Sequence, residues 1–275
     1  MKRMRLSCLL WLPVLLSLLV GCGSGNNNIA FIKPPMPVLS ALFPVNTPNY
    51  YYLYNQGGSP AFSLSSQFRS DLYPIPVSYQ QSTTPPTGLV FATETENSIL
   101  CWSRADPRVC IISGAPTTTA RINMVLELDI SSSQPNIIGL TSISNKSPGF
   151  IIEIATRYST GQNPDGTPIY QSLSADDIKK TIAHELGHAF GLGHSPNQSD
   201  LMYYKSNDNQ GTSYANFLTY GDATAIWTTL NARGVSWQHF PIITQAAGFT
   251  KQAQPTVRAL EVPSRGPIVD VYTKE

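Results

Sequence analysis

The 275 residues carry a formal net charge of +1, from 18 Lys and Arg against 17 Asp and Glu. This balance, with no basic run in the sequence, excludes the electrostatic footprint of a nucleic-acid-binding protein. Charged residues make up 13% of the chain and apolar residues 41%, whereas an average globular protein has about 25% charged residues. The chain can therefore bury a core, but uncharged polar residues must form most of the polar surface around that core.

The N-terminus predicts an exported, lipid-anchored protein. Residues 1–21 combine basic residues at the start with an apolar stretch, 6–20. That stretch is shorter than the roughly 20 residues of a membrane-spanning helix, so it predicts a signal peptide. The sequence Leu-Val-Gly-Cys that ends at Cys22 resembles the lipobox of bacterial lipoproteins. The resemblance implies cleavage before Cys22 and a lipid on its thiol; an ordinary secretory signal is the alternative.

Such an anchor implies a location in the cell envelope. The resemblance to lipoproteins of Gram-negative cells, with Gly23 rather than Asp after the Cys, implies the outer membrane, on its periplasmic or surface side. Removal of the signal peptide removes three basic residues and no acids, so the net charge becomes +1 − 3 = −2. A mildly acidic chain gains nothing from anionic lipid, so acyl chains rather than charge would hold it to the membrane.

The rest of the chain divides by composition. Residues 22–70 are rich in Asn, Pro, Ser and Gly and predict a flexible tether, with a short strand at 50–54. Residues 71–240 carry the periodic patterns of one folded domain. Residues 241–275 predict an irregular tail.

Hydrophobic periodicity places strands and helices along the folded domain in an α+β order. An exposed loop with the turn-forming sequence Asn-Pro-Asp-Gly precedes the longest helix. In chain order, the predicted elements are a strand at 72–79, a helix at 92–102, strands at 122–130, 137–143 and 150–156, the loop at 161–168, the helix at 174–192 and a last helix at 222–231.

The helical pattern is strongest over residues 174–192. Ser174 is in the N-cap position, and Asp176 and Asp177 follow in the first turn, where the helix dipole favours acids. Apolar residues recur at helical spacing and predict a buried stripe, formed by Ile178, Ile182, Leu186 and Phe190.

This helix carries the pattern of a metal site with a general base. His184 and His188 are four residues apart, so both imidazoles leave one helix face and can bind one ion. Glu185 can reach a metal-bound water without binding the metal itself. Gly191 can take the left-handed conformation that ends a helix and returns the chain, so that His194 becomes the third ligand. Helical histidines are often plain surface groups, but three of the four in this chain fall within these eleven residues.

Residues 184–194 (HELGHAFGLGH) match the HExxHxxGxxH motif of the metzincin zinc metallopeptidases. Ser195, and Met202 eight residues after the last His, are placed as in matrixins, whose Met forms a turn beneath the zinc. The likeness extends in pattern over about 70–235, including a matrixin-like helix at 218–230. It implies a zincin/metzincin-like α+β fold: a twisted mixed sheet of about five strands, two long helices and a small C-terminal subdomain with one helix.

The sequence departs from the matrixin pattern at two places. The segment between Ile130 and Ser174 lacks the Asp- and Gly-rich loop that binds a structural zinc and calcium in matrixins. We therefore expect one zinc; the candidate position for calcium is Asp165, and no other residue supports it. Tyr204 stands two residues after the Met, where matrixins usually have Pro. Astacins and serralysins have there a Tyr that binds zinc and swings away to stabilise the oxyanion, so Tyr204 is a candidate switch, with a simply packed tyrosine as the alternative.

The resemblance also implies the reaction and the substrate. Zinc activates a water, and Glu185 takes its proton and passes it to the leaving amine of a peptide bond. An extended peptide or protein substrate would pair with a free edge strand, which by order along the chain is 137–143. Phe190 and residues 197–204 are expected to line the specificity pocket, and His239 is expected to be structural or exposed rather than catalytic. We expect a monomer.

Two other functions remain open at this point. One is a zinc-binding surface lipoprotein without proteolysis, although a structural zinc site would not need the base Glu185. The other is a hydrolase of cell-wall peptides, which an envelope location would permit.

Cys101 and Cys110 are the cysteines left after the signal peptide and the lipidated residue. An even pair in an oxidising compartment predicts a disulfide between them. A zinc site made from this pair lacks partner ligands nearby. A thiol that blocks the metal, as in the matrixin prodomain, is a further alternative, because Arg108-Val109-Cys110 faintly resembles that segment.

Overall fold

The computed structural model describes residues 75–106, 108–109, 111–115, 117, 120–130, 136–144, 149–232 and 265–274, all within one compact unit, Pro34–Glu275. Several predictions fall outside the described residues: the signal peptide 1–21, the lipidated Cys22, the tether 22–70, Cys110 and His239. Among the helices that are described, none combines the length and hydropathy needed to cross a membrane.

The centre of the fold is a mixed sheet of seven strands among the described residues, in the order β2-β1-β3-β5-β4-β9-β8. Strands β1, β2, β3 and β5 run parallel to one another, and β4 is antiparallel to both β5 and β9. The short β8 runs parallel to β9. The bounds are β1 Ile75–Gln81, β2 Ile111–Ser113, β3 Ile122–Glu127, β4 Ile137–Ser144, β5 Phe150–Ala155, β8 Lys205–Ser206 and β9 Arg265–Lys274.

The middle strands are apolar along their length because both sheet faces are covered. Every residue of Phe150–Ala155 is buried, and so are all but the last residue of Ile122–Glu127. A parallel strand buried on both faces reads as a continuous apolar run rather than as an alternation. The predicted α+β class and mixed sheet are confirmed, and the sheet has more strands than the five expected.

Two of the described helices pack against each other next to this sheet. Helix α1 spans Phe91–Ala105 and helix α2 spans Ala175–Ala189. Trp102 of α1 joins them, because its Nε1 donates a hydrogen bond to the carbonyl oxygen of Ala183, 2.8 Å away. The Trp102 ring also meets the ring of Phe190 edge-on, with centroids 6.3 Å apart. A third helix, α3, spans Tyr220–Ala232.

The exposed loop predicted at 161–168 is the tip of a two-stranded ribbon. Strand β6, Arg157–Gln162, pairs antiparallel with β7, Pro168–Ser172. The turn between them is closed by Asp165, whose Oδ1 accepts hydrogen bonds from the backbone N–H and the hydroxyl of Thr167. The predicted turn is therefore confirmed, and the two strands that flank it are additional to the predicted elements.

The expectation that 241–275 is an irregular tail is wrong for the part that the structure describes. Residues 265–274 form β9, which pairs along β4 on the edge that β5 leaves open. The prediction that 137–143 is a free edge strand is wrong for the same reason. Strand β4 is hydrogen-bonded on both sides, to β5 and to β9.

The predicted disulfide of Cys101 with Cys110 is also wrong, because Cys101 is a free, buried thiol. Its Sγ lies 3.3 Å from the carbonyl oxygen of Tyr214, inside the contact between α1 and the loop that precedes α3. Burial raises the pKa of the Cys101 thiol to about 12, so it stays protonated. The even cysteine count suggested pairing, but the helix points this thiol into the core.

Candidate metal centre

Helix α2 begins and ends as its sequence predicts. The Ser174 hydroxyl caps it by accepting a hydrogen bond from the N–H of Asp177, 3.1 Å away. Phe190 is the C-cap, and Gly191 follows with a φ of +103°, a region that side chains with a Cβ rarely adopt. The N–H of Leu192 then bonds back to the carbonyl oxygen of Gly187. The helix therefore stops here and the chain turns back along its own last turn.

This turn brings the third histidine to the other two. The rings of His184 and His188 have centroids 4.7 Å apart, and the ring of His194 lies 5.4 Å and 5.0 Å from them. One nitrogen from each ring falls within 4.8 Å of the others. Across the described ranges, this is the group of three or more His, Cys, Asp or Glu side chains that can hold a metal ion.

The hydrogen bonds of two of these rings leave the same nitrogen facing the centre. Nδ1 of His184 donates to the carbonyl oxygen of Leu201 at 2.7 Å, and Nδ1 of His188 donates to that of Leu192 at 2.8 Å. Such backbone contacts fix the tautomer in zinc sites. Burial, followed by the neighbouring imidazoles, lowers the pKa of His184 well below its ordinary value, so this ring is neutral.

These rings fit a zinc ion by geometry and by donor type. The Nε2 atoms of His184 and His188 lie 2.9 Å apart. Nitrogens bound to one tetrahedral zinc at about 2.0 Å lie about 3.3 Å from each other. Two neutral imidazoles that present lone pairs to each other at this range are stabilised by a cation between them. The donor set therefore suits one zinc.

Glu185 lies beside these ligands, fully buried. The hydroxyl of Thr141 on β4 donates a hydrogen bond to its Oε2 at 2.5 Å. A Cβ at Gly139, also on β4, would collide with the Glu185 side chain. Strand β4 therefore orients the carboxylate from one position and makes room for it from another. The roles of Thr141 and Gly139 have no signal in the motif itself, because they depend on strand pairing with a distant segment.

Met202 is fully buried. Its sulfur packs so closely on Gly187 of α2 that a Cβ there would collide with it. The turn is held by Asp222 of α3, whose carboxylate accepts hydrogen bonds from the N–H groups of Leu201, at 2.9 Å, and Met202, at 3.2 Å. Asp222 thus links α3 to the turn of Met202, a role that is not among those predicted from the sequence.

Three other residues predicted at the site lie in different places: Tyr204 near His194, Phe190 in the core and Asp165 at the tip of the ribbon. Tyr204 is 43% exposed, and its ring centroid lies 6.1 Å from that of His194. Phe190 packs in the core against Trp102. Asp165 lies at the ribbon tip, outside the metal cluster.

The thiol-block alternative is untested, because Cys110 lies outside the described residues; Arg108, from the same segment, is held inside the domain. Arg108 is buried and paired with Asp106. The same guanidinium also donates to the Asn231 side chain at 3.0 Å and to the carbonyl oxygen of Trp227 at 3.2 Å. Arg108 therefore fastens the end of α1 to α3.

Comparison with known proteins supports the class of protein that this geometry suggests. The family model described as Matrixin matches residues 142–229, a stretch that contains all three histidines, Glu185 and Met202. Archaemetzincin from Pyrococcus horikoshii is 34% identical over 59 residues, which are 22% of this chain and 31% of that protein. The chain thus spans about a third of the length of the curated relative it matches. Both matches support a metzincin-like zinc metallopeptidase.

Proposed function

We propose that this chain is a zinc-dependent endopeptidase with Glu185 as its general base. The observation that carries the proposal is the convergence of three imidazoles around one point, with a fully buried carboxylate on the same helix as two of them. A structural zinc site normally fills its fourth position with a protein ligand. A three-histidine site beside a buried carboxylate is instead the arrangement of a hydrolytic site.

The residues of the chain divide the work of hydrolysis. Zinc held by His184, His188 and His194 supplies a Lewis acid that polarises a carbonyl and lowers the pKa of water to about 7. Glu185 takes a proton from the attacking water and gives it to the leaving amine. Thr141 holds the carboxylate at its Oε2, so that Glu185 does not have to reorient during the reaction.

Tyr204 is proposed to stabilise the oxyanion. Its proximity to His194 and its partial exposure support a side chain that can move toward and away from the metal. Tyr204→Phe removes only the hydroxyl, and loss of one oxyanion donor lowers kcat on the order of 100-fold. Unchanged kcat in Tyr204→Phe would leave this tyrosine a packing residue.

We also propose that Cys22 carries the lipid anchor, on the basis of the lipobox-like sequence before it. The test is the distribution of the protein after cell fractionation. Wild-type protein is expected in the membrane fraction of the envelope and the Cys22→Ser variant outside it. Equal distributions would remove the anchor from the proposal.

The endopeptidase itself is tested with the full-length protein purified in detergent, beside its Glu185→Ala variant. Cleavage of unfolded casein and of a quenched peptide library is measured with and without a zinc chelator, and bound zinc by elemental analysis. We expect one zinc in both proteins, and cleavage that disappears with the chelator and with Glu185→Ala. Full zinc with cleavage of peptidoglycan peptides alone would favour the cell-wall hydrolase, and full zinc with no cleavage of any substrate would favour the binding protein.

A further inference from the structure

Strand β9 lies in a groove whose two walls both belong to the metal centre. One wall is β4, which carries Gly139 and Thr141 beside Glu185. The other is β8, Lys205–Ser206, which follows the turn of Met202. Strand β9 pairs antiparallel with the first and parallel with the second. Its backbone thus fills the position in which an extended peptide would add to β4.

Among the described side chains of β9, that of Tyr272 reaches the metal ligands. It is opposite Gly139 in the strand register. Its ring stacks on that of His184 with centroids 3.8 Å apart and planes 17° from parallel, and the side chain is fully buried. Its hydroxyl donates to Oε1 of Gln210 at 3.0 Å. Tyr272 therefore occupies a closed pocket with an aromatic wall and a polar end.

The polar end of this pocket is itself fixed in place. Nε2 of Gln210 donates to the carbonyl oxygen of Asp200 at 2.9 Å, which orients Oε1. The N–H of Asn207 also donates to that Oε1, at 3.3 Å. A phenol is thus recognised both by stacking on His184 and by the acceptor Oε1 of Gln210. An aliphatic side chain would not supply the hydroxyl that donates to this acceptor.

The C-terminal end of β9 is anchored outside the pocket. Nζ of Lys274 lies 2.6 Å from Oδ1 of Asp177, in the first turn of α2. The backbone of Lys274 exchanges hydrogen bonds with Asn136: its N–H donates to the Asn136 carbonyl, and its carbonyl accepts from the Asn136 side chain. Toward the other end of the strand, Ile268 is 52% exposed. Beyond the backbone pairing with β4 and β8, the side chains of Tyr272 and Lys274 anchor this end of the strand.

We propose that β9 is an internal occupant of the substrate groove, with Tyr272 in the pocket that selects the substrate side chain. The groove then binds extended peptides with a tyrosine, or a closely similar aromatic residue, at that position, and β9 competes with substrate, so that the wild-type chain cleaves more slowly than a form without the docked strand. This inference rests on the proposed peptidase function for its inhibitory part. The docking itself can be measured without catalysis.

The binding experiment uses full-length, zinc-supplied protein that also carries Glu185→Ala, so that nothing is cleaved. The probe is a fluorescently labelled peptide with the sequence of residues 265–274, and a second peptide has Ala in place of its Tyr. Binding is followed by anisotropy to three forms: otherwise unchanged, Tyr272→Ala, and the matched control Ile268→Ala. Hydrogen exchange of the β4 amides in the same proteins reports whether β9 is docked.

We expect Tyr272→Ala to speed exchange in β4 and to bind the Tyr peptide at least tenfold more tightly than the other two forms. The Ala peptide should bind at least tenfold more weakly than the Tyr peptide. Lys274→Ala, which leaves the pocket intact, should also speed β4 exchange, so the proposal does not depend on one core variant. Equal binding by all three forms, or slow β4 exchange in both Tyr272→Ala and Lys274→Ala, would overturn it.

Activity assays separate this inference from the proposed function. With Glu185 present, Tyr272→Ala should cleave a tyrosine-containing quenched peptide at least tenfold faster than wild type or Ile268→Ala, and the 265–274 peptide should inhibit it. Peptide binding as expected, with no Glu185-dependent cleavage in any form, would support the docking and refute the peptidase. Glu185-dependent cleavage at equal rates in all forms would support the peptidase and refute the internal occupant.

Discussion

The hydrogen bond from Thr141 to Glu185 provides a sharp test of how this site is organised. Thr141→Val keeps the shape and the β-branching of the side chain and removes only its hydroxyl. The bond is 2.5 Å long and fully buried, and its acceptor is a carboxylate. Hydrogen bonds to charged groups contribute about 1.5–3 kcal/mol, and about 1.4 kcal/mol corresponds to a tenfold change in rate. We therefore expect kcat/KM to fall about 10- to 100-fold.

The assay is turnover of a quenched peptide together with zinc content for each protein. The loss should appear mainly in kcat, since Thr141 acts through the base rather than on the metal. Ser142→Ala is the matched control: Ser142 is the next residue on β4, equally buried, and its hydroxyl hydrogen-bonds to none of the described residues. If Thr141→Val kept its zinc and turned over as fast as Ser142→Ala, the reasoning that β4 orients the base would be refuted.

Three further predictions concern the frame around the site. Gly191→Ala places a side chain at a φ of +103°, which costs about 1–3 kcal/mol of folding free energy. Calorimetry should therefore show a lower Tm, and chelator competition should show a weaker zinc affinity. Wild-type values for both would contradict this prediction. Burial opposes ionisation of Asp177, but hydrogen bonds from Lys274 and Ser174 hold its pKa below the ordinary value. The stabilisation is therefore complete above about pH 4 and is lost as the pH falls through the lower folded pKa. In urea unfolding, the difference between wild type and Asp177→Asn should be constant from about pH 7 to 5 and shrink only below about pH 4; a difference that shrank already at pH 6 would exclude this carboxylate. Cys101 should react with iodoacetamide only after unfolding, because its thiol is buried and protonated. Reductant should leave Tm unchanged; a fall in Tm on reduction would show that the disulfide with Cys110 exists after all.

The metal-site helix could be predicted because its information is local. The spacing of His184 and His188, the Ser174 cap and the helix-ending Gly191 all lie within one segment, and each follows from helical geometry. Met202 was placed by resemblance to matrixins rather than by physics. In the structure its sulfur packs on Gly187, where a Cβ would collide with it.

The groove could not be predicted from the sequence, because its parts come from distant segments. Strand β9 contains Gly266 and Pro267, residues depleted in strands, so its local pattern indicated a tail. It is a strand because β4 and β8 offer hydrogen bonds on either side. Thr141 is an unremarkable residue in an apolar run until pairing places it beside Glu185.

The pairing of β9 with β4 also has a consequence for the order of folding. Asn136 and Lys274, which bond at its end, are 138 positions apart in the sequence, whereas β4 and β5 are neighbours along the chain. Contacts across so long a loop cost chain entropy before they stabilise anything, so they form late. The neighbouring strands can assemble beforehand, and β9 then closes over a surface that already exists. The strand that docks last on this surface is also among the first expected to open in the native state.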